Sequence, residues 1–428
     1  MMVWTLWLAI AAGEIGPAQP AVALTETAAA AAARQDSPAA RRALLTRDQT
    51  LGAVALQQPR LRPDLTLEAG GDLQTPTVRD PAAPHALVRR DLAGRVGLSA
   101  EQILLARGGD ALDQRLRCQL AASQADCEAA LAQAAAAARN AWLDLAAAKA
   151  GFAVADEGVR QAQDQLVRVQ DLLAVERVAD VDRLQAEAGV LEARAARVEA
   201  ANGLALAAAS LNRLLGADLD RPLVVELPTE LPPALPDLAA ATAYAVAHRP
   251  EVTALLARGG EARAGARLAD APLGPTLAAT AGVVGRTPDA FDPGFDARLG
   301  FVLRWPLTRS DTSAALAGLE ARGAARLADL SLAELRGGIA LEVRKAWLDD
   351  QAARERLQLA TARVAAAEEA HRVRVLQYER SRTTLLEVQA ARLEVSRAKL
   401  EQANANLAVH RAVAAFELAS AGYDGSKP

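Results

Sequence analysis

The sequence predicts a mainly α-helical protein with a small β part, built from two similar halves. Each half is expected to contain a pair of strands followed by a long helical hairpin. Two observations support this fold class: a segment that recurs at a fixed distance, and an apolar periodicity of seven residues. A long segment that recurs at one offset indicates an internal duplication.

The duplication is clearest around two tryptophans. Residues 139–144 read RNAWLD and residues 344–349 read RKAWLD, so that Trp142 and Trp347 are 205 residues apart (347 − 142). Earlier in each half, Pro38 and Pro250 are 212 residues apart (250 − 38). Both halves therefore share a proline-interrupted helix, an extended stretch and a tryptophan-containing helix in the same order.

The periodicity predicts two long helical hairpins, over about residues 110–215 and 313–419. In the last segment, leucine recurs every seven residues at positions 386, 393, 400 and 407, with parallel valine and alanine series. Recurrence at this step is typical of helices that wind around partners. Three parallel series form a stripe wide enough for neighbours on both sides. The chain is 51% hydrophobic but only 3% aromatic, because alanine supplies the excess, and this favours closely packed helices over a thick core.

Each hairpin is preceded by a predicted strand pair, at about 64–74 and 93–104 in the first half and at about 275–286 and 296–306 in the second. The last strand alternates most clearly, since apolar residues alternate there with charged or small ones. A strand that crosses a membrane needs roughly ten such residues. A small soluble sheet with one wet face is the alternative. The expected lipid-facing side chains of the last strand are Leu299, Phe301, Leu303 and Trp305.

The domain boundaries follow from these elements and from two further segments. Residues 1–23 are expected to be a cleaved signal peptide, because a short apolar run is followed by Ala21-Val22-Ala23, which fits an A-x-A cleavage site. Residues 218–236 hold five prolines and are expected to form a linker, because such a density cannot continue a helix. The repeats then occupy residues 24–217 and 237–421, and residues 422–428 form a tail.

The two cysteines, Cys118 and Cys127, leave two alternatives open. On one unbroken helix they would lie about 13 Å apart, beyond the reach of a disulfide. Ser123 and Asp126 could instead cap a new helix, and a break there would allow the two thiols to meet. A metal site is not expected, because no histidine or third thiol is nearby.

Charge and motifs exclude several classes of function. The formal charge of −4 comes from nearly balanced acids and bases, which argues against a nucleic-acid partner. The sequence has no phosphate loop, no pair of catalytic carboxylates and no histidines at metal-ligand spacing. We therefore expect neither an enzyme nor a cofactor.

With these elements in order, the mature chain resembles the TolC-type outer membrane efflux protein family, the outer membrane factors, over nearly its whole length. The most specific similarity lies around the turn of the second hairpin, and shorter ones lie at the start of the second half and at the end of its last strand. The matching stretches are Gln377-Tyr378-Glu379, Thr384-Leu385-Leu386-Glu387-Val388, Ala391-Arg392-Leu393, Arg249-Pro250-Glu251 and Trp305-Pro306-Leu307.

The resemblance implies a homotrimer whose copies share one β-barrel in the outer membrane, continued by one α-helical barrel in the periplasm. It also implies a periplasmic adaptor (a membrane fusion protein), an inner-membrane pump and outer-membrane lipid as partners. The implied function is the outer membrane channel of a tripartite efflux system that exports small molecules. A polypeptide-secretion conduit of the same fold and a periplasmic coiled-coil adaptor or scaffold are the alternatives. An adaptor would carry one hairpin between flanking β domains, whereas two hairpins are predicted here.

The resemblance further implies roles for the residues at the hairpin turns. Glu387 would form a carboxylate ring at the periplasmic entrance, and its repeat mate Asp182, beside Asp180, would contribute to the same gate. The turns would face the adaptor through Glu176, Arg177, Ser381, Arg382, Thr383 and Thr384. The family usually has glycine at the positions of Glu176 and Ser381. The charges at the turns suggest in addition that Arg382 or Arg177 could pair with Glu387 through salt links between neighbouring tips. The alternative is that the acids only solvate a turn.

Overall fold

The structure is a computed structural model that describes residues 22–57, 64–74, 91–106, 109–226, 228, 230–269, 275–287, 294–305, 312–380 and 382–423. Nearly all of the expected signal segment lies outside the described residues, as do Ser381 at the second turn and residues 424–428 of the tail. Within the described part, the fold class is confirmed: the protein is mainly helical, with a small β part that follows the same order in both halves.

Each half begins with two short helices, continues with two strands, and ends with a long helical hairpin. In the first half these are α1 (Glu26–Asp36), α2 (Pro38–Leu56), β2 (Asp64–Gln74), β3 (Asp91–Ala106), α3 (Gly109–Ala174) and α4 (Asp180–Leu215). In the second half they are α5 (Leu238–His248), α6 (Pro250–Ala269), β5 (Thr276–Thr287), β6 (Gly294–Arg304), α7 (Thr312–Glu379) and α8 (Leu385–Ala419). Two short strands, β1 (Val22–Ala23) and β4 (Leu223–Val224), lie outside this repeat.

The repeated prolines act as helix starts. Pro38 and Pro250 are the first residues of α2 and α6. Proline is favoured at this position because its fixed φ suits a helix and its missing N–H would have no partner within the helix. Before Pro38, the Ser37 hydroxyl accepts a hydrogen bond from the Ala40 N–H at 3.0 Å, which caps α2.

The chain divides into two compact units. One unit contains Leu45–Asp126 and Glu251–Glu334, and the other contains the remaining described residues. The first will be called the sheet unit and the second the helical unit. None of the described helices has a stretch that is both long and apolar enough to cross a lipid bilayer.

The sheet unit holds an antiparallel sheet in the order β2-β3-β5-β6, so the two halves meet at its centre between β3 and β5. Leu65, Ala100, Ala281 and Leu299 lie in register across the four strands. Because side chains alternate along a strand, these residues lie on one face of the sheet, and that face is mainly apolar. Its large side chains are exposed in the single chain: Leu65, Leu67, Val96, Leu98, Val283, Phe295, Leu299, Phe301 and Leu303.

A close helix contact within the sheet unit involves Cys118. Gly260 on α6 lies so near α3 that a Cβ at this position would be 2.9 Å from the Cys118 Sγ. A larger residue at position 260 would therefore force the Cys118 side chain to shift. Nearby, the Arg258 guanidinium pairs with Asp126 at 2.6 Å, which also joins α6 to α3.

The core of the helical unit surrounds the first of the two repeated tryptophans. Trp142 and Leu143 belong to a buried cluster that also includes Leu211 of α4 and Leu407 of α8. The indole Nε1 of Trp142 donates a hydrogen bond to the Leu24 carbonyl at 2.8 Å. Beside it, Arg139 pairs with Glu26 of α1 and with Glu417 of α8. These contacts join the start of the described chain to both hairpins.

The proline-rich linker is held against the helices by side-chain donors. Arg354 donates to the carbonyls of Pro232 and Pro233, at 3.2 and 2.7 Å, and its Nε bonds the buried Asp350. Asn212 donates to the Leu219 and Arg221 carbonyls at 3.1 and 2.8 Å. Since proline has no N–H of its own, carbonyl acceptors are the groups through which such a segment can be fixed.

The disulfide alternative for Cys118 and Cys127 is wrong. Helix α3 continues through both residues without a break at Ser123, and both cysteines are free. The alanine-rich sequence around the potential cap favours an uninterrupted helix, and Ser123 then occupies an ordinary position inside it.

We therefore expect both thiols to remain reactive in unreduced protein. Alkylation under denaturing conditions should add two groups per chain, because a separation of about 13 Å along a helix prevents a bond. Intact mass spectrometry provides the measurement, with a fully reduced sample as the control. A gain of two further groups only after reduction would contradict the continuous helix.

Candidate functional site

The two helical turns of the helical unit form the candidate site. Helix α3 ends at Ala174 and α4 begins at Asp180, while α7 ends at Glu379 and α8 begins at Leu385. The intervening residues, 175–179 and 380–384, contain every residue expected to face an adaptor. We call them the first and second tip.

The first tip closes in a left-handed backbone conformation at Glu176, whose φ is 58°. The Glu176 N–H donates to the Leu173 carbonyl and the Arg177 N–H to the Leu172 carbonyl, at 2.9 and 3.0 Å. This is the pattern of a Schellman motif, in which glycine is the usual residue at the left-handed position. Glu176 therefore occupies a backbone position that favours glycine, in agreement with the departure noted in the sequence.

The second tip closes with a backbone hydrogen bond between residues five positions apart, as in the first tip. A capping residue then starts α8. The Arg382 N–H donates to the Gln377 carbonyl at 2.8 Å. The Thr384 hydroxyl then accepts a hydrogen bond from the Glu387 N–H at 3.4 Å, as in a capping box, where an acid three residues after the cap is favoured. Part of the reason for an acid at position 387 is thus helix initiation.

A buried cluster behind the tips joins all four long helices. Val169 of α3, Ala186 of α4, Tyr378 of α7 and Leu385 of α8 belong to it, together with Val388. Tyr378 is only 6% exposed. Its hydroxyl donates to the Asp182 carboxylate at 3.4 Å, so the second hairpin is also bonded to the first. Burial, together with the nearby Asp182 charge, raises the pKa of Tyr378 to about 12, and the hydroxyl stays protonated at physiological pH.

The three expected gate acids have different partners. Asp182 accepts from Tyr378, whereas Asp180 pairs with Arg183 at 2.8 Å, and that pairing lowers the pKa of Asp180. Glu387 pairs with Arg374 at 2.6 Å and accepts from the Thr383 hydroxyl at 2.7 Å. All three carboxylates therefore have a partner within the chain.

The partner of Glu387 within the chain differs from the expected ones. Arg374, rather than Arg177 or Arg382, forms the ion pair, while Arg177 donates to the Glu379 carbonyl at 2.7 Å. Arg374 lies on the opposite limb of the same hairpin, at about the same distance from the turn as Glu387. Antiparallel helices bring such positions together, and this spacing is the sequence signal that would have identified the pair.

The expected lipid-facing residues lie at an edge of the sheet. Leu299, Phe301 and Leu303 occupy β6, and Trp305 directly follows it. All four side chains are exposed in the single chain, and Leu299 reaches 91%. Large apolar side chains with this exposure require cover from lipid or another protein surface.

Comparisons with known proteins agree with this architecture. Residues 243–422 match the family model described as outer membrane efflux protein. No curated protein sequence matches the chain significantly. The CmeC outer membrane channel of Campylobacter jejuni superposes with a TM-score of 0.77 at 15% identity, covering 95% of this chain and 90% of CmeC. The outer membrane protein VceC of Vibrio cholerae superposes with a TM-score of 0.77 at 18% identity, covering 93% of this chain and 96% of VceC.

A third similar structure is the open state of the MtrE outer membrane channel of Neisseria gonorrhoeae, with a TM-score of 0.72 at 19% identity, covering 93% of this chain and 89% of MtrE. At these identities the superpositions show the fold, over nearly the whole of each chain. The family match covers the second half of the sequence, including the second tip and both strands β5 and β6.

The backbone at Glu176 generates a prediction about the first tip. Replacing Glu176 with glycine should stabilise the tip locally by about 1 kcal/mol, because the left-handed penalty is removed. Amide hydrogen exchange across residues 172–178 should slow accordingly.

The matched control is Val175→Gly, one residue earlier, where φ is not positive. In this variant the amide hydrogens of residues 172–178 should exchange faster, because glycine at position 175 only raises the conformational entropy of the unfolded chain. Equal effects of the two substitutions would contradict the assigned conformation.

Proposed function

From the outer membrane efflux protein domain at residues 243–422, and from the fold shared with solved outer membrane channels, we propose that this chain is the outer membrane channel of a tripartite efflux system. The resemblance stated from the sequence is thereby confirmed, and with it the expected localisation in the outer membrane with an extension into the periplasm. The family consists of channel proteins, not enzymes. The proposal adds that three copies assemble with a periplasmic adaptor and an inner-membrane pump, and export small molecules to the exterior.

The proposal that copies of the chain assemble rests on one observation. Equivalent residues in the two repeated halves differ in how far they are buried within the single chain. Leu143 and Leu348 are repeat mates, yet Leu143 is 0% exposed and Leu348 is 51% exposed. In the first half, α8 provides the cover, through Leu407, an Arg411–Asp144 ion pair and the Glu417–Arg139 pair. The equivalent face of α7 is open in the single chain.

The repeat indicates what covers that open face. Helix α4 is the repeat mate of α8, so α4 of a second copy is the element equivalent to the one that covers α3. The apolar stripe of α4, which includes Leu191, Val198 and Leu206, is exposed in the single chain. It would therefore be free to cover α7 of another copy. An interface between two different surfaces of identical chains generates a ring when it closes.

The sheet supports the same assembly. Its edge strands, β2 and β6, have 11 residues each. In a bilayer an open strand edge leaves backbone groups without partners, which costs several kcal/mol for each group. Pairing β6 of one copy with β2 of the next removes both edges. Three copies of the four-stranded sheet would give 12 strands (3 × 4), within the range of known membrane barrels.

The tips would then form the periplasmic gate. We infer that the closed state is held by the Tyr378–Asp182 bond and by the buried cluster behind the tips. Glu387, Asp182 and Asp180 would place carboxylates around the entrance, where a ring of like charge favours cations. Opening requires the two hairpins to separate, which breaks the Tyr378 bond and exposes the cluster. Tip residues 176, 177 and 381–384 would face the adaptor.

Two alternatives remain from the sequence. The exposed apolar face of the sheet disfavours a periplasmic adaptor with one wet sheet face, because such a face needs cover from lipid or from another protein surface. A polypeptide-secretion conduit would use the same fold, and neighbouring genes for a resistance-type pump or for a protein exporter would distinguish it from an efflux channel. In either case, voltage-clamped planar bilayers should show discrete ion channels, and their absence for folded, inserted protein would overturn the proposal.

The lipid-facing assignment predicts a difference between two faces of β6. Leu299→Arg should destabilise the inserted protein by about 2–4 kcal/mol and reduce the folded outer-membrane fraction, because a charge would enter the lipid. Val302→Arg places the same charge on the opposite face and should be tolerated. Equal loss in both variants, measured by fractionation and heat-modified gel mobility, would contradict the assignment.

The gate assignment predicts separable effects in single-channel recordings. Glu387→Ala combined with Asp182→Ala should weaken cation selectivity, because two acids leave the entrance. Tyr378→Phe should increase conductance without changing selectivity, because only the bond between hairpins is lost. Glu369→Ala, which removes an exposed acid of α7 paired with Arg372, is the control. Unchanged selectivity and conductance in the double variant would remove the gate from this site.

A further inference from the structure

A small polar cavity lies between α3 and the second hairpin, a few turns behind the tips. Its volume is about 120 Å³, and Arg168 and Gln165 of α3, His371 of α7, and Gln389 and Arg392 of α8 line it. Gln165 is buried, and His371 and Arg392 are half-buried, so the interior contains side-chain donors. Arg168 is exposed and lies at the opening. Val388 lines this cavity and also belongs to the buried cluster behind the tips, but none of the proposed gate acids lines it.

The charges of the two arginines lack a direct partner. Within the part of the chain that the structure describes, neither Arg168 nor Arg392 forms an ion pair within 4.0 Å, whereas Arg183 and Arg374 do. Burial lowers the pKa of Arg392, and the charge of Glu192 on α4 only partly offsets this. A half-buried guanidinium without a bonded acceptor is costly, because its five donors must find partners.

The histidine increases the positive charge that the cavity can hold. Burial, followed by the charges of Arg392 and Arg168, lowers the pKa of His371. The acid that lines the cavity is Asp164, which is exposed. The charged lining residues, two arginines and one aspartate, have a net charge of +1, and protonation of His371 raises it to +2. Glu192, outside the lining, offsets part of this charge.

We propose that this cavity binds a small inorganic oxyanion of the sulfate or phosphate class. Arg392 and Arg168 would donate to the anion in charge-assisted hydrogen bonds, and the buried Gln165 would supply an amide donor. Because the ligand would bond α3 and α8 together, it would stabilise the packing of the first hairpin on the second. This site goes beyond the proposed channel function and is independent of it, since its residues belong to one chain.

The experiment is calorimetric titration of the detergent-extracted full chain with sodium sulfate in a chloride buffer of constant ionic strength. Sulfate keeps its charge between pH 6 and 8, so that any pH dependence belongs to the protein. An anion raises the pKa of His371, so binding takes up a proton. The affinity for sulfate should therefore be highest at pH values below the pKa of His371 in the anion-free protein. It should fall, by up to about tenfold per pH unit, as the pH rises above that pKa. His371→Gln should abolish this dependence.

Two arginine variants test the location of the site. Arg392→Gln should weaken sulfate binding by about tenfold or more, because it removes a charge-assisted donor pair. Arg397→Gln is the matched control: it lies on the same helix but lines a neighbouring groove instead of the cavity, and its affinity should be unchanged.

Several results would overturn the proposal. These are no saturable sulfate binding to folded wild-type protein, equal losses in the two arginine variants, or equal affinity for a bulky naphthalenesulfonate that the cavity cannot enclose. If Arg392→Gln does not fold, the pH dependence of the wild type and of His371→Gln still decides the question. Channel recordings of the same samples separate this result from the proposed function.

Discussion

The structure depends on one constraint: the chain has apolar faces that it cannot cover by itself. The duplication produces two equivalent tryptophan-containing faces, and only the first is covered, by α8 of the same chain. Leu348 and its neighbours on α7 stay exposed, and so does the apolar stripe of α4. The sheet repeats the situation, with one apolar face and two open edges. In the proposed assembly, further copies of the chain would supply both the hydrophobic burial and the backbone pairing that the single chain lacks.

The tips combine strong packing with a small number of polar links. Tyr378, Val388 and Ala186 bury the base of both hairpins together, while Tyr378–Asp182 and Glu387–Arg374 are single bonds at the surface of that cluster. The proposed gate would open at moderate cost, since few bonds would be broken and the helices themselves would stay intact. The charged cavity behind the tips lies on the same hairpin boundary, so a bound anion would shift the balance towards the closed packing.

Periodic features could be predicted from the sequence, and features that depend on several helices could not. The heptads from Leu386 to Leu407 and the alternation from Leu299 to Trp305 are local patterns, and they indicate the hairpins and strands directly. The alternative of a helix break capped by Ser123 was wrong, because the alanine-rich sequence around Ser123 favours a continuous α3. The left-handed Glu176 and the Arg374 partner of Glu387 depend on how a turn closes. The cavity at Arg392 needs residues from three helices, which no single stretch of sequence reveals.

The mass of the folded particle tests the central claim most directly. Native mass spectrometry or light scattering of the detergent-extracted protein, corrected for bound detergent, should show three chains per particle. A trimer would agree with an open face on α7 that is covered by α4 of the next copy. A folded monomer that partitions into the soluble periplasmic fraction, with Leu348 and the apolar face of the sheet still exposed, would contradict it.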